Sequence, residues 1–169
     1  SAMSVEERMT LANMAAELGG KAGYCEPDQK TADALTGWGA KDIDIETWRS
    51  DADATYAKTV TIDGNALTPH VAAPSSPENS TPIAEHKGTK LDQAYLGACT
   101  GAKLDDLRMA AAVLKGRKIK EGFKFMISPS SLAMAEKAKA DGTMKIIEDA
   151  GGIILPMGCS GCIGIGPSR

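Results

Sequence analysis

The chain has 169 residues, of which 43% are hydrophobic and 24% charged, and its formal net charge is −3. This composition is ordinary for a globular protein and excludes a wholly disordered chain, collagen and a disulfide-rich miniprotein. The mild acidity leaves no basic surface for nucleic acid or an anionic membrane, so neither is expected as a partner. No apolar run approaches the roughly 18 residues of a membrane-spanning helix. Residues 1–7 are acidic and lack an apolar signal core, so we expect a cytoplasmic location.

The chain begins with a segment that is typical of an amphipathic helix. Residues 5–22 carry a broad apolar stripe and predict one continuous helix. Ser4 precedes this stripe and Glu7 follows three residues later, which is the pattern of a capping box. Glycines at the end of the stripe predict where the helix stops.

The next segments complete a mainly helical N-terminal arm, which we assign to residues 1–68. A short second helix is predicted up to Gly37, and the β-branched residues 59–62 predict a short strand. Residues 69–82 are rich in proline, serine and asparagine, which are unsuited to a helix or a central strand. We interpret them as an extended connector to a domain at residues 83–169.

This last domain has an alternating pattern of short apolar runs and amphipathic segments. Strands are predicted at 94–98, 123–127 and 152–155, and helices at 105–114, 132–140 and 144–149. An order β-α-β-α-β implies parallel strands joined by right-handed crossovers. The predicted fold class is therefore α/β.

Three of the four cysteines follow strands of this domain. Cys99 follows the first strand, and Cys159 and Cys162 follow the third in a C-x-x-C pattern. Because ligands bind outside the carboxyl ends of parallel strands, we expect these thiols at one edge of the sheet. Three thiolates without an obvious fourth ligand indicate either zinc with an outside ligand or an iron–sulfur cluster with one open iron. The alternative is a set of structural thiols without metal, and Cys25 is interpreted as a spare thiol.

Five segments, in order, resemble motifs of the aconitase superfamily. They are residues 6–20 (M-T-x-x-N-M-x-x-E-x-G), 51–56 with the preceding Ser50 (S-D-x-D-A-x-Y), 76–79 (S-P-x-N), 97–107 (G-S-C-T-N-G-x-x-x-D-L) and 159–164 (C-G-x-C-x-G). Their order and spacing are nearest to the large-subunit branch of 3-isopropylmalate dehydratases and homoaconitases. The resemblance spans residues 4–166 and implies a three-layer α/β/α domain.

The resemblance implies the chemistry of a hydro-lyase that dehydrates and rehydrates a hydroxy di- or tricarboxylate of the 3-isopropylmalate type, as in leucine biosynthesis. It implies a [4Fe–4S] cluster held by Cys99, Cys159 and Cys162, whose fourth iron is a Lewis acid for the substrate. Glu17 matches an active-site glutamate of the family, and Asn13 matches an asparagine facing the same site. Four residues apart in the predicted helix, Asn13 and Glu17 would share one face.

The resemblance also implies partners for this chain. The histidine–aspartate groups, the arginine segment and the catalytic serine of the family have no counterpart in these residues. We therefore expect a cluster-binding fragment, inactive alone, that works with a small swivelling subunit or with the remaining domains of the same enzyme. His70 and His86 flank the connector and are interpreted as structural.

Four positions depart from the family motifs. Ala98 stands where the family has serine, Gly101 and Ala102 where it has asparagine and glycine, and Ser160 where it has glycine. The first two favour an alternative in which the chain is a degenerate, non-catalytic module that binds metal or a partner chain. A zinc–thiolate domain is a third hypothesis.

Overall fold

The computed structural model describes residues 2–165 of the chain. The helices are α1 (Val5–Asn13), α2 (Gln29–Gly37), α3 (Leu104–Leu114), α4 (Leu132–Ala140) and α5 (Thr143–Ala150). The strands are β1 (His70–Ala72), β2 (Ser80–Pro82), β3 (Gln93–Leu96), β4 (Lys124–Ile127) and β5 (Ile153–Ile154). Short 3-10 turns lie at Glu46–Trp48, Gly64–Ala66, Ile83–His86 and Ser160–Ile163. No helix within residues 2–165 combines the length and the hydropathy that crossing a bilayer requires.

The chain divides into two compact units whose bounds differ from the predicted segments. One unit combines the residues up to Cys25 with those from Leu91 onward, and the other is Glu26–Lys90. The arm predicted at 1–68 is thus split, because α1 makes its hydrogen bonds with the chain near residue 100.

The first unit is built on a parallel sheet in the order β3-β4-β5. Tyr95, Met126 and Ile153 lie side by side across the three strands. Helix α3 connects β3 to β4, and α4 and α5 connect β4 to β5. The predicted α/β class and its parallel β-α-β-α-β core are therefore confirmed.

The hydrophobic core of this unit lies where the sheet meets the helices that connect its strands. Leu107 of α3, Ile127 of β4 and Ile147 of α5 are all fully buried in one cluster. Helix α3 packs against both α4 and α5, which closes this core. Burial of such side chains supplies most of the favourable energy that holds the strand ends, and hence the loops after them, in place.

Helix α1 is shorter than its sequence predicts. The capping box is confirmed, since the Glu7 amide donates to Ser4 Oγ at 3.2 Å and the Ser4 amide donates to the Glu7 carboxylate at 2.6 Å. The helix ends at Asn13 and not at residue 22, because turns with i→i+3 hydrogen bonds replace the helical pattern up to Gly19. Gly23 then returns along the helix so closely that a Cβ there would lie 2.3 Å from the Ala12 carbonyl oxygen.

The second unit contains helix α2 and a small hairpin. Asp28 caps α2 by accepting the Lys30 amide at 3.0 Å. The residues interpreted as an extended connector form strands β1 and β2, which pair antiparallel with Val71 opposite Thr81. The predicted strand at 59–62 is wrong: this segment has no regular secondary structure, since no neighbouring strand pairs with it.

Both histidines of this unit make local contacts. His70 Nδ1 lies 3.2 Å from Ser80 Oγ, across the hairpin. His86 Nε2 lies 2.7 Å from Thr81 Oγ1. These contacts agree with the structural interpretation of both residues.

Candidate functional site

The loop that carries Cys99 joins the end of β3 to the start of α3. Cys99 is exposed, whereas the flanking Ala98 and Ala102 are buried. Asp106 accepts the amide of Lys103 at 3.1 Å through its side chain, which begins α3 directly after the loop. The loop thus presents one thiol outward from a backbone that is held on both sides.

Helix α1 lies against this loop through a compact set of hydrogen bonds. Thr10 Oγ1 donates to the Thr100 carbonyl oxygen at 2.9 Å. The ammonium of Lys103 donates to Thr10 Oγ1 at 2.7 Å and to the same Thr100 carbonyl at 2.9 Å. These bonds dock the helix beside the residue that follows Cys99.

This docking brings two of the predicted site residues together. Cys99 Sγ donates to Asn13 Oδ1 at 3.4 Å, although 86 positions separate the two residues. Glu17 is exposed in the turns that follow α1. The expectation that Asn13 and Glu17 share a helix face is wrong, because the helix ends at Asn13 and turns of a different geometry follow.

The other two cysteines lie on a single turn after β5. The amide of Cys162 donates to the Cys159 carbonyl at 2.7 Å, which closes the turn. Both thiols are exposed, and neither forms a disulfide. The hydroxyl of Tyr95 donates to the Cys159 carbonyl oxygen at 3.4 Å, and the Tyr95 ring lies against Gly161.

A second anchor holds the segment that leads into this turn. Ser128, which is fully buried at the end of β4, donates through Oγ to the Pro156 carbonyl at 2.8 Å. The same oxygen lies 3.2 Å from the Gly158 carbonyl oxygen. The turn with Cys159 and the loop with Cys99 therefore both extend from carboxyl ends of the sheet and are tied to its strands.

The chemistry of this donor set fits an iron–sulfur cluster. Cys99, Cys159 and Cys162 are all exposed free thiols on loops, and clusters of this kind are held by cysteine thiolates. Within residues 2–165, no three cysteine, histidine or acidic side chains are grouped closely enough to bind one metal ion. The structure thus joins Cys99 to Asn13 and ties both cysteine segments to the sheet, without bringing the three thiols to a common point.

Four residues that position these cysteines were not found from the sequence. They are Thr10, Tyr95, Lys103 and Ser128. Lysines and serines are mostly exposed in proteins, so their residue types do not indicate burial. The sequence feature that could have indicated two of them is their distance from Cys99, since Tyr95 and Lys103 each lie four residues from it.

A sequence model of the Aconitase family (aconitate hydratase) matches residues 1–169. The chain belongs to the aconitase family.

Its relatives include several large subunits of one enzyme. It is 41% identical over 163 residues to 3-isopropylmalate dehydratase large subunit 2 of Archaeoglobus fulgidus, which covers 96% of this chain and 39% of that protein. It is 42% identical over 164 residues to large subunit 1 of the same enzyme from Pyrococcus furiosus, with 96% and 38% covered. It is 39% identical over 165 residues to the large subunit from Sulfurihydrogenibium sp., with 96% and 37% covered. The chain thus spans about two fifths of the length of these curated relatives.

Proposed function

We propose that this chain is the cluster-binding part of a hydro-lyase that dehydrates and rehydrates a hydroxy di- or tricarboxylate of the 3-isopropylmalate type. The reaction would serve leucine biosynthesis. Membership of the aconitase family and the printed names of the relatives support this class. The single structural observation that carries it is the contact between Cys99 and Asn13, which joins two family motifs 86 positions apart.

In this proposal, Cys99, Cys159 and Cys162 bind the [4Fe–4S] cluster through their thiolates. When bound, the cluster supplies an open iron as Lewis acid for the substrate's hydroxyl and carboxylate. Asn13 contacts the protonated Cys99 thiol through its amide oxygen; once Cys99 binds as a thiolate, the amide NH2 group of Asn13 would have to donate to the sulfur instead. Glu17 lies four residues after Asn13, and its side chain is exposed. In this proposal its carboxylate accepts a hydrogen bond from the water that leaves the substrate.

The proposed partner is a small subunit or the remaining domains of the same enzyme. The relatives are named as large subunits, and this chain spans only about two fifths of them. Among its described residues, both histidines have structural contacts in the second unit. We therefore expect the chain alone to be inactive towards 3-isopropylmalate, and measurable turnover by the chain alone would contradict this expectation.

Anaerobic reconstitution with iron and sulfide tests the ligand assignment. We expect the parent chain to gain broad visible absorption and about four irons per chain, as an iron–sulfur cluster requires. Cys99→Ser should lose both signals. Cys25→Ser is the matched control, because Cys25 Sγ donates to the Arg8 carbonyl of α1 and Cys25 belongs to neither of the loops that carry the proposed ligands. Equal loss in both variants, or none in either, would overturn the assignment.

The same experiment separates the alternatives. A zinc–thiolate domain would bind zinc with the same cysteine dependence and would show no visible absorption. If the parent takes up no cluster, reconstitution is repeated with the remaining domains and the small subunit present. A degenerate module would bind these partners and restore no turnover.

A further inference from the structure

One charged side chain near the site is buried without an obvious task in binding or chemistry. Lys103 is only 5% exposed, although lysine is almost never fully buried unless it is paired. Its hydrogen-bond partners are a hydroxyl and a carbonyl, Thr10 Oγ1 and the Thr100 oxygen. Burying an ammonium costs free energy that such neutral partners offset only when the geometry is good.

The three groups form a closed triangle. The Lys103 ammonium donates to Thr10 Oγ1 at 2.7 Å, Thr10 Oγ1 donates to the Thr100 carbonyl at 2.9 Å, and the ammonium donates to that carbonyl at 2.9 Å. Two donors therefore converge on the peptide carbonyl directly after Cys99. Hydrogen bonds to charged groups are stronger than neutral ones, so Lys103 contributes most to this arrangement.

The triangle lies next to the contact between Cys99 and Asn13, because Thr10 and Asn13 belong to the same helix. Thr10 and Asn13 are three residues apart on α1, so they lie on neighbouring positions of one helix face. Thr10 meets the residue after Cys99, and Asn13 meets Cys99 itself. Fixing Thr10 to Thr100 thus fixes the amide oxygen of Asn13 beside the thiol.

We propose that Lys103 is a positioning residue that locks the Cys99 loop to α1 and so sets the thiol beside Asn13. The role of Cys99 as a cluster ligand rests on the proposed function. The locking of the loop by Lys103 does not, because it concerns only how firmly the Cys99 loop is held against α1.

Hydrogen exchange measured by mass spectrometry on the full 169-residue chain tests the lock. Lys103→Met removes the ammonium and keeps the length of the side chain, and we expect amide exchange in residues 97–103 to rise about tenfold. Lys103→Arg, which keeps charge and donors, should recover much of the protection. Lys137→Met, at an exposed position of α4, is the control and should leave this segment unchanged.

Thr10→Val supplies an independent arm, because it removes the hydroxyl and leaves Lys103 in place. It should also raise exchange in residues 97–103, and the double variant with Lys103→Met should exceed the larger single effect only slightly, since both act on one carbonyl. If Lys103→Met lowers protection throughout the chain, Thr10→Val decides the outcome. Unchanged exchange in residues 97–103 in Thr10→Val or in a folded Lys103→Met, or a fully additive double variant, overturns the proposal.

Iron uptake during anaerobic reconstitution links the lock to the site. Lys103→Met should bind less iron than the parent, whereas Lys103→Arg and Lys137→Met should match it. A parent that binds no iron counts against the proposed function, and the exchange result still decides the lock. A selective rise in exchange with unchanged iron uptake would overturn the claim that the lock positions the thiol for a cluster.

Discussion

The aromatic ring of Tyr95 lies directly against Gly161, so that a Cβ atom on Gly161 would stand 2.9 Å from Cδ2 of the ring. The Tyr95 hydroxyl also donates to the carbonyl of Cys159, 64 positions later in the chain. Strand β3 therefore supports the turn of Cys159 and Cys162 and also leads into the loop of Cys99. One strand thus shapes both segments from which the proposed ligands come.

Replacement of Gly161 by alanine should displace this turn. The added methyl group would meet the near side of the Tyr95 ring, which cannot move as freely as the end of a flexible side chain. We expect a loss of about 1–3 kcal/mol in the free energy of unfolding, measured with urea, and reduced iron uptake on reconstitution. Gly37→Ala is the control, since a Cβ there meets nothing within 4 Å. A Gly161→Ala chain with parental stability and iron uptake would contradict this prediction.

Removal of the Ser128 hydroxyl should loosen the segment before Cys159. The Ser128 side chain is fully buried and bonds the Pro156 and Gly158 carbonyls. Ser128→Ala leaves these carbonyls without that donor, which should cost about 1–3 kcal/mol in thermal or urea unfolding. Exchange of the amides in residues 156–162 should rise as well. Ser130→Ala, at a half-buried position nearby, should be close to neutral; equal costs for both serines would count against the prediction.

The stability of the first unit should depend on the ionisation of Asp141. Hydrogen bonds from Thr143, with a smaller contribution from Arg108, lower the pKa of the Asp141 carboxyl. A lowered pKa in the folded state stabilises the protein above the ordinary carboxyl pKa, and this stabilisation is lost as the pH falls through the lowered value.

Asp141→Asn should therefore unfold at a lower urea concentration than the parent at neutral pH. The gap between the two midpoints should begin to shrink below about pH 4, where the carboxyl of the unfolded chain takes up a proton, and should close as the pH falls through the lowered pKa of the folded state. Glu148→Gln, at an exposed position of α5, is the control. A gap that stays constant from neutral to acidic pH would show that the ionised form of Asp141 is not the stabilising one.

Truncation of Leu107 should test the core between α3 and the sheet. This side chain is fully buried in the main hydrophobic cluster. Leu107→Ala should lower the free energy of unfolding by about 2–5 kcal/mol, measured by urea titration. Met109 lies on the same helix and is 62% exposed, so Met109→Ala should cost far less. Similar losses for the two variants would contradict the assigned core.

The β-α-β-α-β core was predictable because its signals are local. Each strand is a short apolar run closed by turn residues, and each helix has an apolar stripe of helical period. The Ser4 and Glu7 capping box was predictable for the same reason, since both partners lie within one turn. The position of Cys99, Cys159 and Cys162 after strands followed from the order of these elements.

The errors arose where distant segments decide local structure. The chain turns back after α1 so that Gly23 packs against Ala12, where a longer helix was predicted. No local sequence pattern indicates this close contact. Residues 59–62 have strand composition, but a strand needs a neighbour to pair with. From its residue type alone, Lys103 would be predicted to be exposed to solvent. It is buried because α1 packs beside the Cys99 loop, where the Lys103 ammonium donates to Thr10.

The contact between Thr10 and Thr100 also orders events during synthesis, because it joins positions 90 residues apart. At about 5–20 residues per second, a ribosome needs roughly 5–20 s to add the intervening chain. Helix α1, with Asn13 at its end, is therefore made seconds before the loop on which it docks. The Cys99 environment therefore cannot be completed before the segment 26–90 has been translated.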